Sequence, residues 1–287
     1  MNSTAYDLYL PDRLMSPLVF ASPHSGRHYP RSFLQHSVLD ARTIRSSEDA
    51  FVDRLFDCTP QFGAPLIAAR APRAFVDMNR SPDEVDSALI EGTRRLDHHN
   101  PRVASGLGVV PRVVSNGRAI YNGEIPMAEV RRRINIYWHP YHRSLKQLLT
   151  RAHEAFGEAV LLDCHSMPHE AIDSTVLGCR HSPEIVLGDR FGAAASGDIM
   201  DCVESAFASA GFKVVRNVPF AGAYVAQAYG RPSRCQHVIQ IEIDRSLYMD
   251  ERLIEPHQDF ETFRARLRGV IAELIEIGRE HKLLAAE

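Results

Sequence analysis

Two histidines and a glutamate stand where apolar runs of this sequence meet polar residues. His24 follows the run "PLVFAS" within "SPHSGRHYP", His165 ends the run in "LLDCHSMP", and Glu242 lies inside "HVIQIEID". Two histidines and a carboxylate from separate strand ends, with one coordination position left for water, are the ligand set of a catalytic zinc site. A further carboxylate beside such a site can take up a proton and pass it on. These residue types favour metal-assisted hydrolysis.

The segment "DMNR" supplies residues of the kind that recognise a carboxylate. Asp77, Asn79 and Arg80 directly follow the apolar stretch "AFV". A guanidinium presents paired N–H donors that match the two oxygens of a carboxylate, and an adjacent asparagine suits the same task. A salt bridge from Arg80 to Asp77 or Asp83 is the alternative. Combined with the metal-binding residue types, the segment predicts a hydrolase that acts on an acylated amino acid.

Strands and helices must bring these distant residues together, and the hydrophobic pattern predicts both. Strands are predicted over residues 17–22, 64–70, 74–78, 159–164, 174–179, 212–217 and 237–244. Helices are predicted over residues 46–58, 126–156 with a kink or break at Pro140, 198–210 and about 257–284. This alternation predicts an α/β fold, a three-layer α/β/α sandwich around a mixed, mostly parallel sheet. In such folds ligands bind outside the carboxyl ends of the strands, which is where His24 and His165 fall.

The composition bounds the class of protein. A chain of 287 residues, 45% hydrophobic and without repeats or an evident linker, predicts a single domain over residues 1–287. The net charge of −3 argues against a nucleic-acid partner, and Arg131–Arg133 is predicted to be a solvated helix face. The sequence contains no apolar run of about twenty residues, so no membrane span is expected. Five cysteines without a C-x-x-C pair, and an N-terminus unlike a signal peptide, predict a cytoplasmic protein with reduced thiols.

Several motifs in their order resemble the N-formylglutamate amidohydrolase family over most of the chain. They are "SPHSGRHYP", "EDAFVDRLF", "FVDMNR", "HPYH", "LLDCHSMP", "AYGRPS" and "VIQIEIDRSLYM". That family is similar in turn to zinc carboxypeptidases and aspartoacylase-like deacylases. The resemblance implies a zinc-carboxypeptidase-like fold and a cytoplasmic enzyme with one zinc ion. It also implies hydrolysis of a small N-acyl amino acid, namely N-formyl-L-glutamate to formate and L-glutamate, as in histidine degradation.

The same resemblance implies roles for individual residues. His24 and His165 correspond to zinc ligands, Glu242 to the general base, and Asn79 with Arg80 to the substrate-carboxylate clamp, because "DMNR" is similar to the "DLNR" of the deacylases. The deacylases use H-x-x-E, but the residue three positions after His24 is an arginine. The pattern around "EDAFVDRLF" implies Asp49 as the third ligand, with Glu48 as the alternative. In the predicted helix over 46–58, an acid at position 49 could instead stabilise the first turn through the helix dipole.

Other residues near these motifs are given non-catalytic roles or none. His139 and His142 of "HPYH" are predicted to be packing residues or to contact the metal-binding residues without binding the metal. Cys164 is predicted to be a core residue, since it points away from His165 on a strand. No role is assigned to Tyr229. The segment "FAGAYVAQ" and Cys235 depart from the family pattern, which leaves another N-acyl amino acid or a small peptide as alternative substrates. A non-catalytic carboxylate-binding protein, manganese or iron in place of zinc, and any oligomeric state also stay open.

Overall fold

Strands and helices alternate along the chain. The computed structural model describes residues 5–92, 100–172 and 182–284. Its strands are β1 (Tyr6–Tyr9), β2 (Leu18–Ser22), β3 (Leu66–Ala69), β4 (Ala159–Met167), β5 (Ile185–Gly188), β6 (Val214–Arg216), β7 (Gln236–Asp244), β8 (Met249–Asp250) and β9 (Glu255–Pro256). Its α-helices are α1 (Arg31–His36), α2 (Val52–Leu55), α3 (Pro101–Ala104), α4 (Met127–Arg133), α5 (His139–Phe156), α6 (Gly197–Ser209), α7 (Tyr224–Tyr229) and α8 (Phe260–Leu284).

Seven strands form one sheet in the order β1-β3-β2-β4-β7-β5-β6. Strand β4 runs parallel to both β2 and β7, while β5 runs antiparallel to β7 and parallel to β6. Every residue of β4 is buried, as is every residue of β7 after the first. Continuous burial of this kind is typical of strands that are covered on both faces. The predicted α/β class with a central mixed, mostly parallel sheet is confirmed.

The register of the central strands sets the places of two site residues. In the β4–β7 pair, His165 lies opposite Glu242, so the two side chains extend from the same face of the sheet. In the β2–β4 pair, Ala21 lies opposite Asp163. Since both pairs are parallel, the strands end at the same edge, and His24 follows β2 by two residues at that edge.

The segment 46–58 does not form the predicted helix, of which only the single turn α2 exists. The N–H of Asp49 donates to the carbonyl of His24 at 3.0 Å instead of to a carbonyl one helical turn earlier. Phe51 has a φ of 67°, which a right-handed helix cannot accommodate. The helix prediction was therefore wrong at this point, and Asp49 is not a first-turn acid in a helix.

The segment 74–78 is not a strand either. The N–H groups of Phe75 and Val76 both donate to the carbonyl of Pro72, which closes a turn, and the N–H of Asp77 donates to the carbonyl of Val109. Hydrogen bonds to these partners leave no strand ladder for the segment to join. The strand predicted over 174–179 lies outside the described residues.

The predicted break at Pro140 is confirmed by a change of helix type. Helices α4 and α5 are joined by a π-helical turn over Ile134–Trp138, and the N–H of His139 donates to the carbonyl of Ile134, five residues back. Proline has no N–H and its ring clashes with the carbonyl four residues earlier. The wider turn accommodates the ring at the second position of α5.

The chain divides into two compact units. The first contains residues Met1–Asp7, Pro23–Ala50 and Ala68–Ser144. In its core the rings of Phe33 and Phe75 lie 5.1 Å apart. Arg133 is buried there, with its guanidinium 4.1 Å from the centre of the Phe75 ring and donating to the Phe75 carbonyl. The prediction of a solvated face was wrong for this arginine.

The second unit contains Leu8–Ser22, Phe51–Ile67 and Leu145–Glu287. It holds β4 and β7, and helix α8 packs against α6. The ring of Phe263 in α8 also meets the ring of Phe212, three residues after the end of α6, at 5.8 Å. A single catalytic domain over residues 1–287 stays a prediction. None of the helices in the described ranges has both the length and the apolar character that a bilayer crossing needs.

Candidate metal centre

Three ligand-type side chains lie close together: His24, Asp49 and His165. One ligand atom from each lies within 4.8 Å of the others, and all three residues are buried. Nδ1 of His24 is 3.3 Å from Oδ2 of Asp49. Two atoms bound at about 2.0–2.2 Å to one tetrahedral ion are roughly 3.3–3.5 Å apart. The spacing of this pair therefore fits two ligands of a shared ion.

His24 is held by the tight loop that follows β2. A Cβ atom on Gly26 would lie only 2.1 Å from the carbonyl oxygen of Ala71, so the close approach of the two backbones requires glycine. The N–H of His28 then donates to the carbonyl of Arg70 at 2.9 Å. These contacts explain why "HSGRH" returns across the chain segment around residue 71 and keeps His24 in place.

The buried carboxylate of Asp77 decides which nitrogen of His24 is available. It accepts from Nε2 of His24 at 2.7 Å, from the N–H of Asn79 at 2.7 Å and from Nε of Arg73 at 2.9 Å. Burial would raise the pKa of Asp77, but the charge of Arg73 and the hydrogen bond from His24 outweigh it and hold the pKa well below its ordinary range. A charged acceptor at Nε2 keeps the proton there, and Nδ1 is left facing Asp49.

His165 has the same kind of support. Its Nε2 lies 3.0 Å from Oδ2 of Asp163, which is on the same face of β4 two residues earlier. Histidines that bind metals almost always donate their other ring N–H to a carboxylate, a carbonyl or a water. The bond to Asp163 through Nε2 is thus compatible with a ligand role for Nδ1. Both histidines of the cluster match the chemistry of a metal site.

Adjacent acids in the loop after residue 45 have different partners. The carboxylate of Glu48 accepts from Nε and Nη2 of Arg45 at 3.0–3.2 Å and from the hydroxyl of Tyr29 at 2.5 Å. Burial, followed by the charge of Glu48, raises the pKa of Tyr29, so its hydroxyl stays a donor. Asp49 instead faces His24. The geometry favours Asp49 over Glu48 as the third ligand.

Glu242 is buried on β7 beside His165. Its Oε1 accepts from Nε2 of Gln240 at 2.8 Å, and Oε1 of Gln240 accepts from the N–H of Ala223 at 3.1 Å. Because a backbone N–H can only donate, this second bond turns the amide nitrogen of Gln240 towards the carboxylate. Gln240 therefore connects the segment "FAGAYVAQ" to the carboxylate that the sequence proposes as the base.

Arg80 is a nearly buried cation in the turn formed by "DMNR". Its Nε donates to the carbonyl of Leu107 at 3.0 Å, and the ion pair that it forms is a long one to Glu84, at 3.9 Å, rather than to Asp77 or Asp83. Burial lowers the pKa of Arg80, although a guanidinium remains charged at neutral pH. The side chain is a buried positive charge, and the carboxylates of the described residues that act on it are Asp77 and Glu84.

Residues that the sequence left outside the site are also located. Cys164 is fully buried, and burial raises the pKa of its thiol, which confirms the predicted core role. His139 is exposed and His142 is buried, and neither belongs to the metal-binding group. Cys235 has a φ of 52°, in the region that favours glycine, and precedes the amino end of β7, at the opposite end of the strand from Glu242.

The sequence assigned no supporting role in the site to Asp163 or Gln240. Each lies two residues before a site residue on the same strand, and the period of two along a strand places such pairs on one face. The spacings D-x-H and Q-x-E in the sequence could therefore have indicated that each pair lies side by side. No comparable signal links Asp77 to His24, since they are separated by 53 positions.

Comparisons with known proteins show the family to which this chain belongs. The family model described as N-formylglutamate amidohydrolase matches residues 16–249. An N-formylglutamate deformylase of Pseudomonas aeruginosa is 30% identical over 273 residues, covering 92% of this chain and 94% of that protein. One of Pseudomonas putida is 29% identical over 267 residues, covering 91% of each. The crystal structure of N-formylglutamate amidohydrolase from Ralstonia eutropha JMP134 has a TM-score of 0.88 at 34% identity and covers 97% of this chain and 99% of that one. The chain therefore belongs to the N-formylglutamate amidohydrolase family.

Proposed function

We propose that this protein hydrolyses the amide bond of N-formyl-L-glutamate, releasing formate and L-glutamate. The observation that carries the proposal is the buried group of His24, Asp49 and His165 in a chain of this family. The names of its relatives support amide hydrolysis and support N-formylglutamate as the substrate. A cytoplasmic location and the absence of a nucleic-acid partner remain predictions from the sequence.

His24, Asp49 and His165 would hold one divalent ion, which we propose to be zinc. The two nitrogen donors and one oxygen donor suit zinc, and each histidine is supported by a buried carboxylate. When bound, the ion would act as a Lewis acid towards the formyl carbonyl oxygen. The same donors accept manganese and iron, so the identity of the metal is part of the proposal.

Asn79 and Arg80 would hold a carboxylate of the substrate. Both residues are buried. The carboxylates that act on Arg80 are Glu84, at 3.9 Å, and Asp77, which already accepts from His24, Arg73 and Asn79. A substrate carboxylate would supply a closer anion and accept parallel N–H donors from the guanidinium. Such a contact orients the amide bond relative to the reacting groups.

Glu242 would move the proton that the reaction requires. Its carboxylate takes a proton from the water that attacks the formyl carbon, and a C–O bond forms. It then gives the proton to the amide nitrogen as the C–N bond breaks, so that formic acid and the amine of glutamate leave. The proton of the formic acid passes to the amine, which gives formate and L-glutamate. Its place opposite His165 in the β4–β7 register supports this role.

The substitution Glu242→Gln tests the assignment. We expect the variant to retain stoichiometric metal and to lose about 10²- to 10⁴-fold in formate release, since a general base typically contributes that much. Metal is measured by elemental analysis and formate by a coupled assay. His165→Ala serves as the contrast, because it should lose the metal itself. Near-normal turnover of Glu242→Gln would contradict the role of the base.

A second candidate is the same chemistry on a different N-acyl amino acid or a small peptide. The observation in its favour is that "FAGAYVAQ", which departs from the family pattern, lies next to the base through Ala223 and Gln240. Comparing kcat/KM for formyl-, acetyl- and succinyl-glutamate and for formyl-aspartate separates the two. A metal-loaded protein that released no product from any of them would instead be a carboxylate-binding protein of the same fold.

A further inference from the structure

The π-helical turn and the start of α5 place two aromatic side chains against the "DMNR" turn. Trp138 ends the π-helical turn and His142 lies four residues later, and both are buried. Residues four apart lie on one face of a helix. Their rings stack with centres 3.9 Å apart. They form one rigid pair that faces residues 78–80.

Both rings donate hydrogen bonds to the main chain on either side of Asn79. Nε1 of Trp138 lies 2.9 Å from the carbonyl oxygen of Arg80, and Nε2 of His142 lies 2.8 Å from the carbonyl oxygen of Met78. From the opposite direction, Oδ1 of Asp77 accepts from the N–H of Asn79. The short segment that carries the proposed clamp is thus held through one backbone group of each of the three successive residues 78–80.

The protonation state of His142 suits this task. A carbonyl oxygen only accepts, so the proton of the imidazole must reside on Nε2. Burial lowers the pKa of His142 to about 4, which keeps the ring neutral around pH 7. A neutral donor stacked on an indole can be buried without a counter-ion.

Pro140 and the π-helical turn belong to the same arrangement. Proline lies between the two rings in "WHPYH" and cannot continue an ordinary α-helical bond ladder. The π-helical turn, which ends at Trp138, accommodates the proline by its wider hydrogen-bond spacing. Turns of this kind are frequent at functional sites. The motif therefore combines a helix irregularity with two donors that reach the same loop.

We infer that Trp138 and His142 are positioning residues for the substrate-carboxylate clamp and that substrate binding changes the surroundings of Trp138, which is the only tryptophan of the chain. The inference rests on the proposed role of Asn79 and Arg80. Neither ring touches the substrate in this scheme. Both act through the backbone of residues 78–80, whose carbonyl groups they hold.

The first test is kinetic and uses the metal-loaded enzyme. Trp138→Phe keeps a ring but removes the donor, and we expect KM for N-formyl-L-glutamate to rise about 3- to 10-fold while kcat stays within about 2-fold, the size of one neutral hydrogen bond. His142→Leu should raise KM similarly, and His142→Gln, which retains an N–H donor, should recover part of the loss. Tyr141→Phe is the matched control: the substitution keeps the buried ring that meets Tyr6 and His142 edge-on and removes only the hydroxyl, so the KM of the variant should not change.

The second test is spectroscopic. In metal-loaded Glu242→Gln protein, addition of N-formyl-L-glutamate should change the tryptophan emission along a saturable curve, and adding His142→Leu should raise the midpoint of that curve about 3- to 10-fold. Unchanged emission on saturation, or a His142→Leu midpoint equal to that of the parent, would overturn the inference.

Arg80→Lys separates the failure of the inference from the failure of the clamp. A large rise in KM for Arg80→Lys with unchanged KM for Trp138→Phe and His142→Leu would overturn the positioning role alone. Unchanged KM for Arg80→Lys would overturn the clamp, and with it any positioning role for the two rings. A fall in kcat without a rise in KM in Trp138→Phe would also contradict the inference.

Discussion

Each histidine of the proposed metal site has a hydrogen bond to a carboxylate outside the proposed ligand set. Asp163 holds Nε2 of His165, and Asp77 holds Nε2 of His24. Such a partner fixes the tautomer, orients the ring and makes the other nitrogen a better ligand. Asp77 also accepts from Arg73 and from the N–H of Asn79, so its substitution would disturb the proposed carboxylate clamp as well as His24. The effect is therefore tested at Asp163.

We expect Asp163→Asn to weaken metal binding by about 10- to 100-fold, because an amide is a poorer acceptor for the imidazole N–H. Competition with a chelator of known affinity measures the change. Cys164→Ser, one residue away on the opposite face of β4, is a control that should leave the affinity close to that of the parent. An unchanged affinity in Asp163→Asn would contradict the supporting role of the carboxylate.

Gln240 supports Glu242 through a side-chain hydrogen bond, as Asp163 supports His165. It uses its oxygen to accept from the N–H of Ala223 and its nitrogen to donate to the glutamate. We expect Gln240→Glu to keep the first contact and to replace the second by repulsion between two carboxylates. The variant should lose about 10-fold or more in kcat, the cost of displacing a base from hydrogen-bond reach.

Gln236→Glu is the matched control for this substitution. It makes the same change of charge on the same strand, where the glutamine donates to the carbonyl of Tyr229 and lies six residues from Glu242. Its kcat should stay near that of the parent. Equal losses in both variants would show that charge on β7, and not the contact with Glu242, is responsible.

At the scale of elements, the buried imidazole of His142 should make the stability of the protein depend on pH. Burial lowers its pKa from 6.5 to about 4. Between these values the unfolded chain binds a proton that the folded chain does not. The contribution of the buried His142 to the free energy of unfolding is therefore complete above pH 6.5 and is lost as the pH falls towards 4.

His142→Gln removes this proton linkage. The variant is expected to have a lower free energy of unfolding than the parent at pH 7. The difference in free energy of unfolding between the two proteins should be about 2 kcal/mol smaller at pH 5. Urea unfolding of both proteins at the two pH values, with chelator present throughout, gives the comparison. A difference that stayed constant or widened on acidification would show that the imidazole is not buried in its neutral form.

For the molecule as a whole, bound metal should add to the stability of the folded state. The three proposed ligands come from positions 24, 49 and 165, and an unfolded chain does not keep such a group assembled. A ligand present at a thousand times its Kd stabilises by about 4 kcal/mol. Chelation should then lower the Tm by several degrees for a chain of this size.

Scanning calorimetry of the metal-loaded and chelated protein checks this expectation. His165→Ala should melt at the same temperature with and without chelator, because the metal has no complete site in that variant. A chelator effect that persisted in His165→Ala would place the stabilising ion elsewhere on the protein.

The sequence alone determined the main strands and the residues that they present. The apolar runs at β2, β4 and β7 predict their strands. His24 and His165 are found where the first two runs end, and Glu242 is found from the alternation of side chains within the third. A strand that is buried on both faces of a sheet has a nearly continuous run of apolar residues, so it can be recognised from the local sequence alone. The motifs that carry the family resemblance lie on or directly after these elements.

Only the tertiary structure decided the loops and the choice among chemically similar residues. Asp49 and Glu48 are adjacent acids, and the distinction between them comes from Tyr29 and Arg45, which hold Glu48. The predicted helix over 46–58 failed because the N–H of Asp49 bonds a carbonyl that lies 25 positions away. Local propensity reflects neighbours in sequence, whereas a loop takes the shape that satisfies its backbone groups with whatever distant segments the fold brings to it.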